Sequence, residues 1–407
     1  MPNPNITLQA LQRAGLFLPQ EETLEVVKKS SSIRIGIPKE TSYQENRIPL
    51  TPTSVSLLVA HGHEVAIETN AGALANFQDK DYSEAGAQIA YSAEEVYRCD
   101  LILKVSPPTE SELEMIRPRQ LLFSAVQLSN RYGNIIKGLM DRKCTALAFN
   151  YLKDNSGVYP VVRSMGEIAG STAILIAAEY LSNVNSGKGL MLGGVTGIPP
   201  VEVVIIGAGI VGEHAARTSL GLGADVKVFD NCLTRLSRLQ HSLGNQRIYT
   251  ALIEQQELAR RLASADVVVG ALRAPEGRTP CVVTEEMVHE MKYGSVIVDV
   301  SIDQGGCFET SVPTSHNDPV FKKYGVIHYC VPNIPSRVAY TASIALSNIF
   351  TPLLLKIGEE GGFDHYLHRY PSVRNGVYVY QGLLTNKFFG QMYHLPYKDI
   401  DLIMAAM

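Results

Sequence analysis

Residues 201–231 read VEVVIIGAGIVGEHAARTSLGLGADVKVFDN: an apolar run, a glycine turn, an alanine-rich stretch, a second apolar run and an acid. The turn is Gly207-x-Gly209-x-x-Gly212, and Asp230 follows the last glycine by eighteen residues. A βαβ dinucleotide-binding unit places its groups in this order. Gly207 permits the tight turn, Gly209 lets the backbone approach a pyrophosphate, and Gly212 lets the helix lie close on the strand. The free N–H groups at the helix start, with the positive end of its dipole, face the phosphates. Asp230 is placed to accept hydrogen bonds from the adenine ribose and to repel a 2′-phosphate, which favours NAD. Arg235 is the local feature that favours NADP. The glycine pattern alone is weak evidence; VVII before it, a helix over 213–222 and VKVFD after it supply the context it requires.

Around this unit the chain is long, with 407 residues, enough for two domains. Charged residues make up 19% and the hydrophobic set 45%, an ordinary soluble globular mixture. The net charge of −4 gives no basic footprint for nucleic acid or an anionic membrane. Six scattered cysteines without a CxxC pair fit reduced thiols. The longest apolar candidate for a bilayer span, 342–356, is interrupted by Ser343, Ser347, Asn348 and Pro352, and the N-terminus has no basic start followed by an apolar run. These features point to the cytoplasm.

The fold class is α/β, with two Rossmann-like parallel sheets joined by long helices around a cleft. Strands are expected at 33–39, 63–69, 100–105, 120–128 and 145–150, before the glycine turn, and at 266–271, 295–300 and 326–331 after it. Thr51-Pro52 is a helix start, with a capping hydroxyl and a first-turn proline, and Gly62 ends that helix. Long helices at 165–184 and 340–356 carry the chain out of the first domain and back. The expected domains are 1–163 with 340–407, a catalytic domain whose residues 1–32 are an extension, and 164–339, a dinucleotide-binding domain. The tail, 360–407, is expected to pack on the first of these.

Ligands in open α/β sheets bind beyond the carboxyl ends of the strands. Lys104 closes DLILKV, Gln127 closes LLFSAVQL, and Asp303 follows SVIVDVSI. Lys104 is either a surface lysine at a strand edge or a buried one, and its neighbours Ile102, Leu103 and Val105 argue for burial, which requires an anion. Asp303 either caps the turn before Gln304-Gly305-Gly306 or serves chemistry. Arg47, in ENRIPLTP, either clamps a substrate carboxylate bidentately or forms a salt bridge with Glu40 or Glu45. The ten histidines show no metal-ligand spacing, so no metal is expected.

Six blocks, IGIPKETSYQENRIPLTP, DLILKVSPP, RSMGEIAG, LMLGGVTGIPPVEVVIIGAGIVG, VDVSIDQGGCFETS and HYCVPNIPSRV, fall in one order between Ile35 and Val338 and carry a resemblance that covers about residues 33–385. On them the chain resembles the alanine dehydrogenase and nicotinamide nucleotide transhydrogenase family. The resemblance implies reversible, NAD-dependent oxidative deamination of L-alanine to pyruvate and ammonia by a homo-oligomer, typically a hexamer. It implies Arg47 and Lys104 at the substrate carboxylate and Asp303 as the catalytic aspartate. It implies cofactor contacts from Gly207, Gly209, Ile210, Val211, Gly212, Asp230, Arg235, Leu272, Arg273, Val300, Ser301, Ile302, Asp303, Val331, Pro332, Asn333 and Ile334. Two positions depart from the family. Its catalytic histidine falls on Gln127, and a cofactor-contacting serine falls on Gly166. A glutamine amide hydrogen-bonds a carbonyl but does not exchange a proton near neutral pH. Proton transfer then passes to Asp303, Lys104 or water. The alternatives are a dehydrogenase for another amino or imino acid, or a catalytically weak NAD-binding or redox-sensing homologue.

Overall fold

The computed structural model describes residues 31–126, 132–244, 248–274 and 278–406. Gln127 and most of the 1–32 extension lie outside the described residues. Two sheets form. The first contains β1 (Arg34–Ile37), β2 (Glu64–Glu68), β3 (Gln88–Ala90), β4 (Leu101–Leu103), β5 (Leu121–Ser124) and β6 (Thr145–Ala148). The second contains β7 (Glu202–Ile206), β8 (Asp225–Phe229), β9 (Tyr249–Ala251), β10 (Val267–Gly270), β11 (Val296–Asp299), β12 (Val320–Lys323) and β13 (Val326–Tyr329). Two late strands, β14 (Val377–Tyr380) and β15 (Leu383–Leu384), extend the first sheet antiparallel beside β6.

The strand orders are β15-β14-β6-β5-β4-β1-β2-β3 and β12-β13-β11-β10-β7-β8-β9. Both sheets therefore reverse direction of growth, between β1 and β4 and between β7 and β10, and in the second sheet β13 returns inside the edge strand β12. Leu101–Leu103, Val267–Gly270 and Val296–Asp299 are buried at every residue, as strands covered on both faces must be. The short strands β3, β9 and β12 lie at sheet edges, where polar residues are tolerated and the apolar signal is weak.

Two long helices lie against these sheets. Pro160–Leu181 packs on Ile210–Gly221, the helix that follows the glycine turn. At Gly170 the approach is so close that a Cβ would lie 2.2 Å from Val211 O. Ala339–Glu359 leads from the second sheet back to the first and continues through Pro352. Pro160–Leu181 and Ile334–Glu359 are long and apolar enough to cross a membrane, and half of each apolar window is buried inside the protein.

A row of serines ties this return path to the loop after β1. Ser336 Oγ accepts from Asn46 N at 2.9 Å, Ser343 Oγ from Ile48 N at 2.9 Å and Ser347 Oγ from Thr51 N at 3.0 Å. These loop N–H groups have no strand partner, and the hydroxyls satisfy them. The expected cap of helix Pro52–Ala60 is corrected here. Pro52 does occupy its first turn, but the Thr51 hydroxyl makes no cap bond and lies 3.3 Å from Ser347 Oγ.

Candidate active site

The glycine turn has the shape that a dinucleotide requires. Gly207 has φ 115°, and a Cβ there would lie 2.5 Å from Ala271 O. A Cβ at Gly212 would lie 1.8 Å from Gly207 O, so only glycine lets the helix start against the turn. Gly209 is different: nothing lies within 4 Å of the Cβ position, and the space beside it is open. Ile210 and Val211 begin the helix and are half-buried. The first N–H groups of a twelve-residue helix therefore border free space, which fits a pyrophosphate.

Asp230, buried at the end of β8, accepts Ala208 N at 2.7 Å and Cys232 N at 2.8 Å. These bonds fix its carboxylate beside the turn. Arg235 is exposed, with Nη1 3.7 Å from Asp230. Leu272 and the exposed Arg273 follow β10, and Ser301 Oγ donates to Leu272 O at 2.8 Å, joining that loop to the short 3-10 helix Val300–Gln304. Gly166 lies under the helix start, where a Cβ would be 3.3 Å from Ile210 Cγ2. Val331, Pro332, Asn333 and Ile334 follow β13 and open the 3-10 helix Ile334–Val338. The residues present fit a bound dinucleotide.

The loop after β1 meets this end of the second sheet. Arg47 is partly buried, its side chain 13% exposed, and is bidentately paired with Glu45, Nε to Oε1 at 2.7 Å and Nη2 to Oε2 at 2.6 Å. Its Nη1 lies 3.4 Å from Met165 Sδ. Burial pushes the Glu45 carboxyl up, but the charge and hydrogen bonds of Arg47 outweigh it and hold Glu45 below the ordinary value. Asn333 joins the two halves. Its side-chain amide donates to Glu45 Oε2 at 2.9 Å, and its backbone N–H donates to Asp303 Oδ1 at 3.1 Å. A left-handed backbone, φ 58°, turns these two donors toward different carboxylates. Asp303 is exposed to solvent on one side and crowded by the neighbouring loops on the other, and this partial desolvation raises its carboxyl against the opposing pull of Asn333 N–H and Arg47.

Lys104 is fully buried at the end of β4, and it has the anion that burial demands. Its Nζ lies 2.7 Å from both oxygens of Glu112, with Glu40 at 3.8 Å. Glu112 is held in turn by a capping box, accepting Thr109 N at 2.7 Å while its own N–H donates to Thr109 Oγ1. Glu40 accepts hydrogen bonds from Val105 N and Ser106 N. Burial pushes Glu40 up to about 7 despite the Lys104 charge.

Glu45 thus links Arg47 to Asn333, Asn333 links Glu45 to Asp303, and Glu40, 3.8 Å from Lys104, lies within the field of Arg47 and Glu45. Of the two readings of Arg47, the salt bridge is what the folded chain forms, with Glu45 rather than Glu40. Glu112 and Asn333's link to Glu45 were missed as site features. The signal for Glu112 was present in Thr109-x-x-Glu112, a capping-box sequence eight residues beyond a buried lysine. Among the described residues no group of three histidine, cysteine, aspartate or glutamate side chains is arranged to hold a metal.

The chain is similar to known proteins over most of its length. Residues 36–169 match the profile of the alanine dehydrogenase/PNT N-terminal domain, and residues 173–387 that of the C-terminal domain. The chain is 38% identical over 370 residues to "Alanine dehydrogenase 2" of Staphylococcus aureus, strain USA300, covering 91% of this chain and 99% of the relative. A solved L-alanine dehydrogenase superposes with a TM-score of 0.84 at 38% identity, covering 89% of this chain and 99% of that one. A transhydrogenase from Sinorhizobium meliloti shares the fold, with a TM-score of 0.73 at 24% identity over 87% of this chain and 99% of that one.

Proposed function

This chain belongs to the alanine dehydrogenase/PNT family, and from that premise we propose which of its residues carry the NAD-dependent oxidative deamination of L-alanine. The reaction is reversible: alanine, NAD and water give pyruvate, ammonium, NADH and a proton. The observation that supports the assignment is the meeting of Arg47 and Asp303, from loops on different sheets, through Glu45 and Asn333.

The glycine turn, Asp230, Arg235 and the loops at Leu272–Arg273, Val300–Asp303 and Val331–Ile334 would hold the cofactor, which when bound accepts hydride from the alanine Cα. Arg47 binds the substrate carboxylate with the planar fork suited to it. Lys104 supports that carboxylate and polarises the substrate carbonyl in the reverse direction, once it moves from Glu112. Asp303 takes a proton from the water that attacks the imine, and its raised carboxyl suits a group that must also give the proton back. Gln127 orients the substrate oxygen or nitrogen. Approach of the two sheets' loops excludes bulk water and fixes the distances.

Initial rates with alanine plus NAD, and with pyruvate plus ammonium plus NADH, test the reading. Turnover in both directions is expected. Activity confined to a larger keto acid with ammonium would move the substrate away from alanine, and tight NADH binding without turnover of any amino acid would overturn the enzyme. Gln127, at the place of the family's histidine, is the feature that favours this second outcome. The same reading makes the protein a cytoplasmic homo-oligomer, a hexamer by family resemblance. Exposed Leu190, Met191, Val195, Ile198 and Leu222 support an apolar face for a second copy, and light scattering measures the assembly.

A further inference from the structure

We propose that Glu45 selects for the substrate's nitrogen: it leaves Arg47 when the substrate carboxylate arrives and takes the α-ammonium, turning an internal ion pair into a clamp for a zwitterion. The inference rests on the reading of Arg47 as the carboxylate-binding residue. Glu45 already occupies the bidentate edge of the guanidinium, through Nε and Nη2. A substrate carboxylate reaches that edge only by displacing it.

A displaced Glu45 is still buried, with its side chain about as enclosed as that of Glu112. A buried carboxylate without a cation is costly, so the displacement is favourable only if a replacement arrives. The α-ammonium is that replacement, because it is carried on the carbon that bears the carboxylate and enters with it. Asn333 keeps Glu45 within reach. Its side-chain amide holds Glu45 while its backbone N–H holds Asp303, so both carboxylates hang from one residue on the cleft side.

The charge balance points the same way. Among the described residues, Glu40, Glu45, Glu112 and Asp303 gather around Arg47 and Lys104. Even with Glu40 protonated, three of these carboxylates face these two cations. A hydroxy acid adds a further negative charge, whereas a zwitterionic amino acid adds none. Selection for nitrogen therefore comes from repulsion of the wrong substrate as much as from attraction of the right one. Glu112 is unsuited to this role, since the Thr109 cap fixes it at the start of its own helix.

The test is the steady-state comparison of the unsubstituted chain with Glu45→Gln and Glu45→Asp, each first checked for NADH binding and thermal unfolding. For Glu45→Gln the KM for ammonium is expected to rise at least about tenfold while that for pyruvate changes less than about threefold, following the energy of a lost charge-assisted bond. The ratio of alanine to lactate turnover is expected to fall in parallel, and Glu45→Asp to recover part of both. A residue that merely positions Arg47 would instead raise the KM for pyruvate. If pyruvate and ammonium constants rise together, or the alanine-to-lactate ratio is unchanged, the inference is overturned while the functional reading stands. If the unsubstituted chain turns over no amino acid, the functional reading fails and the inference with it.

Discussion

Single residues at the carboxyl ends of the strands set the protonation of the site. Glu40 is raised to about 7 by burial, above its ordinary value, so the native state holds a proton there that the unfolded chain releases. Its contribution to stability is complete below the ordinary carboxylate range and is lost as pH rises through about 7. Urea unfolding between pH 5 and 7 should therefore show the unsubstituted chain losing stability relative to Glu40→Gln as pH rises; a difference that does not change with pH would mean that Glu40 is not the proton carrier. Gln127 bears on rate rather than stability. If the native site is limited by the missing imidazole, Gln127→His raises alanine kcat by about tenfold or more, in the range of general acid–base effects. No change would route the proton through Asp303, Lys104 or water. The burial of Lys104 was legible because Ile102, Leu103 and Val105 flank it. Its partner was legible only as a capping residue: Thr109-x-x-Glu112 marks a helix start, and nothing local shows that the turn brings Glu112 back to Lys104.

At the scale of elements, the glycine turn separates two uses of the same residue type. Gly212→Ala puts a Cβ into Gly207 O, so both the melting temperature and NADH affinity should fall. Gly209→Ala meets no protein atom, so its melting temperature should hold while the Kd for NADH rises roughly tenfold or more, the cost of a methyl in the phosphate's path. Calorimetry and NADH fluorescence titration measure the pair; equal binding by Gly209→Ala would place the pyrophosphate elsewhere. The turn and the buried strands were legible because apolar runs end in residues with a fixed steric duty. Edge strands such as Gln88–Ala90 and Tyr249–Ala251 were not, since three half-polar residues carry no period. The Thr51 cap was misread for a related reason: the hydroxyl had a tertiary competitor in Ser347, almost 300 residues away.

At the scale of the whole molecule, the chain completes its first sheet only after building its second. β6 pairs with β14, which brings Leu147 beside Val377. A chain ending at Gly376 lacks β14 and β15 and leaves the β6 edge open, and it also loses the buried Tyr378, Tyr380, Leu384 and Phe389. Such a truncation should aggregate on expression, measured as the soluble fraction; a soluble, NADH-binding product would show that the second sheet's half stands alone. The expectation that residues 360–407 return to the first half drew on aromatic content, and the hairpin Val377–Leu384 is the element that brings them there.

That late pairing also bears on biosynthesis. At roughly 5–20 residues/s, the ribosome exposes β6 on the order of 10–50 s before β14 emerges. For that interval a nascent polypeptide displays an open, apolar strand margin, so translation speed and chaperone occupancy, rather than the finished protein's stability, should govern the yield of native enzyme.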